Sequence, residues 1–357
     1  MSFHEILIAV MAAFAAFGAV DRIFGNRFGL GKEFEEGILA MGSLALAMIG
    51  IVALAPVLAS LLKPVVVPLF RFLGADPAMF AGTILASDMG GGALAMQLTE
   101  NHDAAMLGGV LTGSMLGATL VFTIPVAMGI LREEDRPAMA KGILCGIVTI
   151  PIGVLAGGIT AGFPVGMVLR NLVPIVLIAV LIALGLWRAE KAMVKGFALF
   201  GKTVVILVTA GLAAAIVEAL TGFVIIPGMA PVSEGFEIVG TIAILLAGAF
   251  PLVLVLTKLL RRPLMAAGQK LGINDAAAAG LIASLANSIA TFGMVKDMNE
   301  RGKVINIAFA VSAAFVFGDH LGFTAGFAPE MFGPMIVGKL AGGVSAVAVA
   351  MWLTKKD

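Results

Sequence analysis

Three polar clusters interrupt long apolar stretches of this chain, and they are where chemistry would be expected. The first is Asp88-Met89-Gly90-Gly91-Gly92, which follows the apolar stretch Ala78 to Ser87. A carboxylate at the centre of a membrane helix costs about 2.5–3.5 kcal/mol on insertion scales, so it normally faces a cavity or a cation. The glycines release the backbone from the helix and let a ligand approach closely. Asp88, Met89 and Gly90 are therefore candidate ligand-binding residues; the plainer role for Asp88 is to cap a short helix starting near Ala93. The second cluster is Asn287-Ser288, at nearly the equivalent place in the later segment Asp275 to Met298. An uncharged polar tip suits a hydroxyl or an amine, or it satisfies backbone groups at a helix break. The third is Asp319-His320, between the apolar run Ile305 to Phe317 and Leu321-Gly322-Phe323. It is expected towards the outer end of its span, where an acid beside an imidazole binds an ammonium group or passes protons. Ser114 and Ser312 are secondary candidates, although serines in membrane helices mostly bond their own backbone.

The elements that carry these clusters are membrane spans. Of 357 residues, 60% are hydrophobic and 13% charged, against roughly 25% charged in an average soluble domain. Mean hydropathy is +1.09. The 45 glycines are too many for rigid soluble helices, but they suit close packing and helix breaks in a bilayer. A formal net charge of +1 argues against a nucleic-acid partner. The single Cys145 and the widely spaced His4, His102 and His320 supply no disulfide framework and no metal cluster. The amino-terminal apolar run from Ile6 lacks a preceding Lys or Arg and reads as a span, not a secretory signal.

Apolar runs long enough to span begin near Ile6, Gly37, Ala104, Gly142 and Val168, and again near Thr203, Phe236, Val304 and Met335. The segments Pro77 to Leu98 and Asp275 to Met298 are broken in the middle and read as re-entrant hairpins or as two further spans. A shift of 198 superposes landmarks: Gly74 on Gly272, Gly82 on Gly280, Ser114 on Ser312 and Lys141 on Lys339. This predicts two repeats, residues 1–162 and 199–357, with a linker helix and cytoplasmic loop over 163–198. Lysines and arginines crowd Arg188 to Lys202, Lys258 to Lys270, Lys296 to Lys303 and Lys355-Lys356, whereas Thr221 to Ser233 and Gly322 to Pro334 carry none. If the basic loops are cytoplasmic, Asp275 to Met298 must enter and leave on one side. The expected fold is all-α and polytopic: two inverted repeats, about nine spans and two re-entrant hairpins, with Lys63 and Arg71 outside. Eleven full spans with parallel repeats is the alternative.

Enzymatic readings find little support. Val316-Phe317-Gly318-Asp319 lacks the first glycine of the GxGD motif of intramembrane aspartyl proteases, and the chain has no Tyr for the companion motif. HExxH and GxSxG are absent. Gly196 to Thr203 matches the Walker A spacing, but its interior is Phe197-Ala198-Leu199-Phe200 and no strand precedes it. Gly109, Gly113 and Gly117 read as a helix-packing ridge. No cofactor or metal is expected, and the oligomeric state, a homo-oligomer included, is left open.

Several stretches together resemble the EutH family of bacterial ethanolamine permeases. They are Phe34-Glu35-Glu36-Gly37 with Ala40-Met41-Gly42, Asp88-Met89-Gly90-Gly91, Arg301 to Asn306, Gly318 to Phe323, and Pro334 to Leu340. The resemblance covers nearly the whole chain, although the loops Gly162 to Gly166 and Pro227 to Ser233 are shorter than is usual there. It implies a multi-pass protein of the inner membrane that takes up ethanolamine as its partner ligand. On that expectation Asp88 attracts the ammonium, Asn287 and Ser288 read the hydroxyl, and Asp319 and His320 shape the outer entrance.

Overall fold

The computed structural model describes residues 3–354; Lys355 and Lys356 of the basic carboxyl terminus lie outside the described residues. Within them every regular element is a helix. The chain begins with α1 (Phe3–Ile23) and the long α2 (Leu30–Phe72). Two short helices follow, α3 (Ala78–Ile84) and α4 (Gly92–Leu98). Next come α5 (His102–Ile130), α6 (Glu133–Thr160), α7 (Val165–Ala189) and α8 (Lys191–Thr221). A second long helix, α9 (Val232–Leu271), precedes the short α10 (Asp275–Ala286) and α11 (Ser288–Met294). The chain closes with α12 (Glu300–Ala313), α13 (Asp319–Phe327) and α14 (Phe332–Leu353).

Eight of these helices are long and apolar enough to cross a bilayer: α1, α2, α5 to α9 and α14. Helices α12 and α13 together cover the length of a ninth span, broken between Ala314 and Gly318. At 43 and 40 residues, α2 and α9 are about 60 Å long, twice the roughly 30 Å hydrocarbon core. They pack along one another and form the long central pair of the bundle. Both carry prolines in mid-helix and end at a left-handed glycine, Gly74 (φ 72°) and Gly272 (φ 74°), the pair that the 198-residue shift aligns.

The two broken segments are hairpins. In the second, the Asn274 side chain donates to the Asp297 carbonyl (2.8 Å), so its two ends are held together. Deeper in, Thr291 Oγ1 donates to the Gly280 carbonyl (2.9 Å) and meets Ser284 Oγ at 2.8 Å, which ties α11 back along α10. In the first, Thr99 Oγ1 donates to Asp76 Oδ2 (2.9 Å), joining the ends in the same way. Legs of 7 to 12 residues are also far short of the roughly 20 needed to span. The alternative of eleven full spans is thereby excluded.

The hairpin bases sit at opposite ends of the bundle. His102, which follows the first hairpin, meets Glu330 beside the start of α14 at 3.1 Å. Arg301, which follows the second, donates to the carbonyl of Thr354, just past the end of α14. Those two points are separated by the 22 residues of α14, about 33 Å of helix. The Lys303–Asp135 pair (2.6 Å) and the Lys258 contact to the Phe28 carbonyl (3.3 Å) also belong to the second end.

Candidate functional site

The first hairpin unwinds at its tip because the sequence there supplies no helix-compatible run. Leu85 and Ala86 are extended, and Ser87–Gly91 forms a single wide turn in which Gly90 takes φ 91°. A side chain at Gly90 would be strained at that angle, and its Cβ would lie 2.3 Å from Ile51 of α2. The freed backbone closes on itself, with Gly91 N–H donating to the Ala86 carbonyl at 2.9 Å. The glycine ridge of α5 seats this tip: a Cβ at Gly117 would lie 1.9 Å from the Leu85 carbonyl. The packing role expected for Gly109, Gly113 and Gly117 is the one observed.

The break between α12 and α13 faces this tip. Phe315 adopts φ 63°, rare for a residue with a side chain. Its N–H donates to the Ser284 carbonyl (3.1 Å), and the Phe317 N–H donates to Leu285 (2.8 Å). Away from water, such freed backbone groups must find partners within the protein, and the second hairpin provides them. Asn287 caps α11 by accepting from the Ile289 N–H (2.7 Å), and Ser288 is fully buried. Neither lines the space around Asp88. Asn287 and Ser288 terminate the helix that props the Phe315–Gly318 break, and their contact with the other cluster is indirect.

The propped break points Asp319 and His320 inward. They sit beside Asp88 at the start of α13, just past the break in the α12–α13 crossing and on its side away from the second-hairpin base. His320 Nε2 lies 3.6 Å from Asp88 Oδ1. On its other side, Lys339 of α14 donates to His320 Nδ1 (3.0 Å) and to the Ser114 carbonyl (2.6 Å). An ammonium donating to Nδ1 leaves the ring proton on Nε2, directed at Asp88. Lys339 is 1% exposed. Ser114 Oγ bonds its own backbone at Leu111 (3.0 Å), as serines in such helices do, so Ser114 serves through its carbonyl. Ser312 is buried against Gly342, away from this chain of contacts.

Asp88, Met89, Asp319 and His320 surround a cavity of about 30 Å³, with Phe122 and Phe315 as its aromatic wall. That is room for a couple of waters at about 10–15 Å³ each. The Phe315 ring stands 5.3 Å from His320 and 5.5 Å from Phe122. Two carboxylates and aromatic faces in a buried space favour a small cation. Asp88 Oδ1 has no hydrogen-bond partner among the described residues. No group of three or more metal-ligating side chains occurs among the described residues. Sequence reasoning missed Lys339 as a member of the site and used it only as a repeat landmark. The signal was present: a lysine between Gly338 and Leu340, well inside an apolar helix.

The Walker-like stretch Gly196 to Thr203 lies inside the continuous helix α8, so no loop exists there to cradle a phosphate.

A polytopic bundle in which one hairpin tip and a broken span meet at buried charges, with a second hairpin propping the break, has the architecture of secondary transporters, whose sites form at discontinuous helices. The chain belongs to the family described as "Ethanolamine utilisation protein, EutH", whose model matches residues 3–353. It is 60% identical over 356 residues to the probable ethanolamine permease EutH of Listeria monocytogenes, covering 100% of this chain and 95% of that protein. The proteins of that name from Salmonella typhimurium and Escherichia coli are each 49% identical over 395 aligned positions, covering 100% of this chain and 97% of theirs. No solved structure matches. The chain is a multi-pass protein of the bacterial inner membrane.

Proposed function

We propose that this protein is a permease that carries protonated ethanolamine across the inner membrane by facilitated diffusion. The observation that supports this most is the charge balance of the buried cluster. Asp88 and Asp319 face one cavity, and a single lysine, Lys339, stands nearby as their built-in counter-ion. With both carboxylates ionised, the cluster carries one negative charge too many, which a monovalent ammonium neutralises. Phe122 and Phe315 add ring faces suited to such a cation. Ethanolamine, like a lysine side chain, is mostly protonated at neutral pH, and the names of the relatives point to the same ligand. A transporter reading, not an enzymatic one, is favoured by those names too.

Asp88 takes the ammonium in this account, with Asp319 and His320 completing the wall and Met89 and Gly90 shaping the turn. The cavity is smaller than the four heavy atoms of the ligand require, so loading involves a shift of the hairpin tip or of Phe315. Residues 1–162 and 199–357 act as two inverted halves joined by 163–198, a reading supported by the hairpin bases at opposite ends of α14. Movement of one half against the other would open the cluster to each side in turn. A membrane potential of about 100 mV supplies roughly 2.3 kcal/mol per charge, or near fifty-fold accumulation, so uniport of the cation needs no coupling ion. Counterflow tests the proposal: proteoliposomes preloaded with unlabelled ethanolamine should transiently accumulate the labelled amine, saturably, and not if loaded with ethylene glycol. Equal traces for both loads would refute it.

A further inference from the structure

The distribution of basic residues holds one exception that the transport site does not explain. Among residues whose side chains are described, the basic residues of the α1–α2, α5–α6 and α7–α8 connections all lie towards the second-hairpin end, as do Arg301 and Lys303. That end is cytoplasmic by the preference of Lys and Arg for the inner side. Apart from the buried Lys339, the described lysines and arginines at the opposite, outer end are Lys63 and Arg71 of α2 and Arg170 of α7. All three line one open cavity of about 1010 Å³. Its floor is the base of the first hairpin, where the Asp76 N–H donates to Asn171 Oδ1 at 2.7 Å.

None of the three cations has an ion pair or a side-chain hydrogen bond among the described residues. Two carboxylates share the cavity. Asp76 is committed within the hairpin, accepting from the Ala78 N–H (2.9 Å) and from Thr99 (2.9 Å). Glu100 lies at the hairpin's exit and is exposed. Basic residues on the outer side run against the orientation bias, and three of them from two helices, against the two carboxylates of the same cavity, leave one positive charge in excess (three minus two). A positive mouth would also repel a cationic substrate, if the permease reading holds. Guanidinium groups match phosphate oxygens in bidentate geometry, and an ammonium adds a point charge.

We infer that this outer cavity, lined by Lys63, Arg71 and Arg170, is a binding site for a phosphate ester seated on the base of the first hairpin. Two sources supply that chemistry at the outer surface: the headgroup of an anionic lipid, or a soluble phosphate ester. Occupancy neutralises the mouth and braces the hairpin that carries Asp88.

The test uses the full-length protein in neutral detergent. Binding is titrated with phosphatidylglycerol, phosphatidylcholine and glycerol phosphate, read as the shift in thermal unfolding midpoint and by native mass spectrometry. The expected result is saturable binding of phosphatidylglycerol or glycerol phosphate that weakens about tenfold for each cation removed. It should be lost in Lys63→Gln/Arg71→Gln/Arg170→Gln and kept in the cytoplasmic-side control Arg22→Gln/Arg27→Gln. Response to the lipid alone identifies a headgroup site; response to glycerol phosphate identifies a soluble ester. Wild-type protein that binds neither probe overturns the inference, as does a triple variant that binds as wild type does. All substituted positions are exposed, so folding is not at stake, and the wild-type titration stands without them.

Discussion

Replacing Asp88 by Asn separates transport from stability, because the two should move in opposite directions. The substitution keeps the side-chain volume and removes one charge. Asp88 Oδ1 has no hydrogen-bond partner among the described residues and approaches His320 Nε2 only to 3.6 Å. Little is therefore lost from the fold, and burying an amide in place of a carboxylate recovers up to about 2.5–3.5 kcal/mol on insertion scales. With substrate bound, the ammonium–carboxylate contact is a charge-assisted hydrogen bond worth about 1.5–3 kcal/mol. Its loss weakens apparent affinity by about 10- to 150-fold. The assay pairs labelled ethanolamine uptake into proteoliposomes with the thermal unfolding midpoint of the same preparation. The expected variant unfolds at the wild-type temperature or higher and needs at least tenfold more substrate for half-maximal uptake. Wild-type uptake would refute the role of Asp88. A sharply lowered midpoint would show instead that Asp88 is structural.

Lys339→Met should fold and insert but fail to transport: the Ser114 carbonyl and His320 Nδ1 lose a shared donor at about 1–3 kcal/mol each, partly offset by removal of a buried charge. Size-exclusion profile and uptake, measured together, check this. Gly90→Ala should lower the unfolding midpoint and abolish uptake, because the alanine meets both φ 91° and Ile51 at 2.3 Å; the two costs are about 1–2 and 1–3 kcal/mol. Cysteines placed at Glu100 and Lys303 should react with an impermeant maleimide from opposite sides of the membrane, and labelling of both from one side would remove the inverted arrangement.

Much of the architecture was legible because hydropathy and charge bias act locally. The apolar runs gave the spans, and Asp88 before three glycines announced an unwound tip. Periodicity could not reveal the break before Asp319. The run Ile305 to Phe317 is apolar apart from Asn306 and Ser312, and the helix nevertheless stops at Ala313. The cause is tertiary: carbonyls of Ser284 and Leu285 take the N–H groups of Phe315 and Phe317. The supporting role of the Asn287-Ser288 break was hidden for the same reason, since a polar helix break looks alike whether it meets a ligand or holds a neighbouring backbone. Lys339 escaped because a single lysine in an apolar helix gives no partner by spacing; His320 lies 19 residues away in sequence and Ser114 lies 225 away.

The central claim is that a buried cluster with one excess negative charge carries a monovalent organic cation without a coupling ion. Uptake of labelled ethanolamine into proteoliposomes at acidic pH, with and without an inside-negative potential and with no proton or sodium gradient, tests it most directly. The account predicts uptake that rises with the potential, and uptake no greater than that of protein-free liposomes, at any potential, would contradict it.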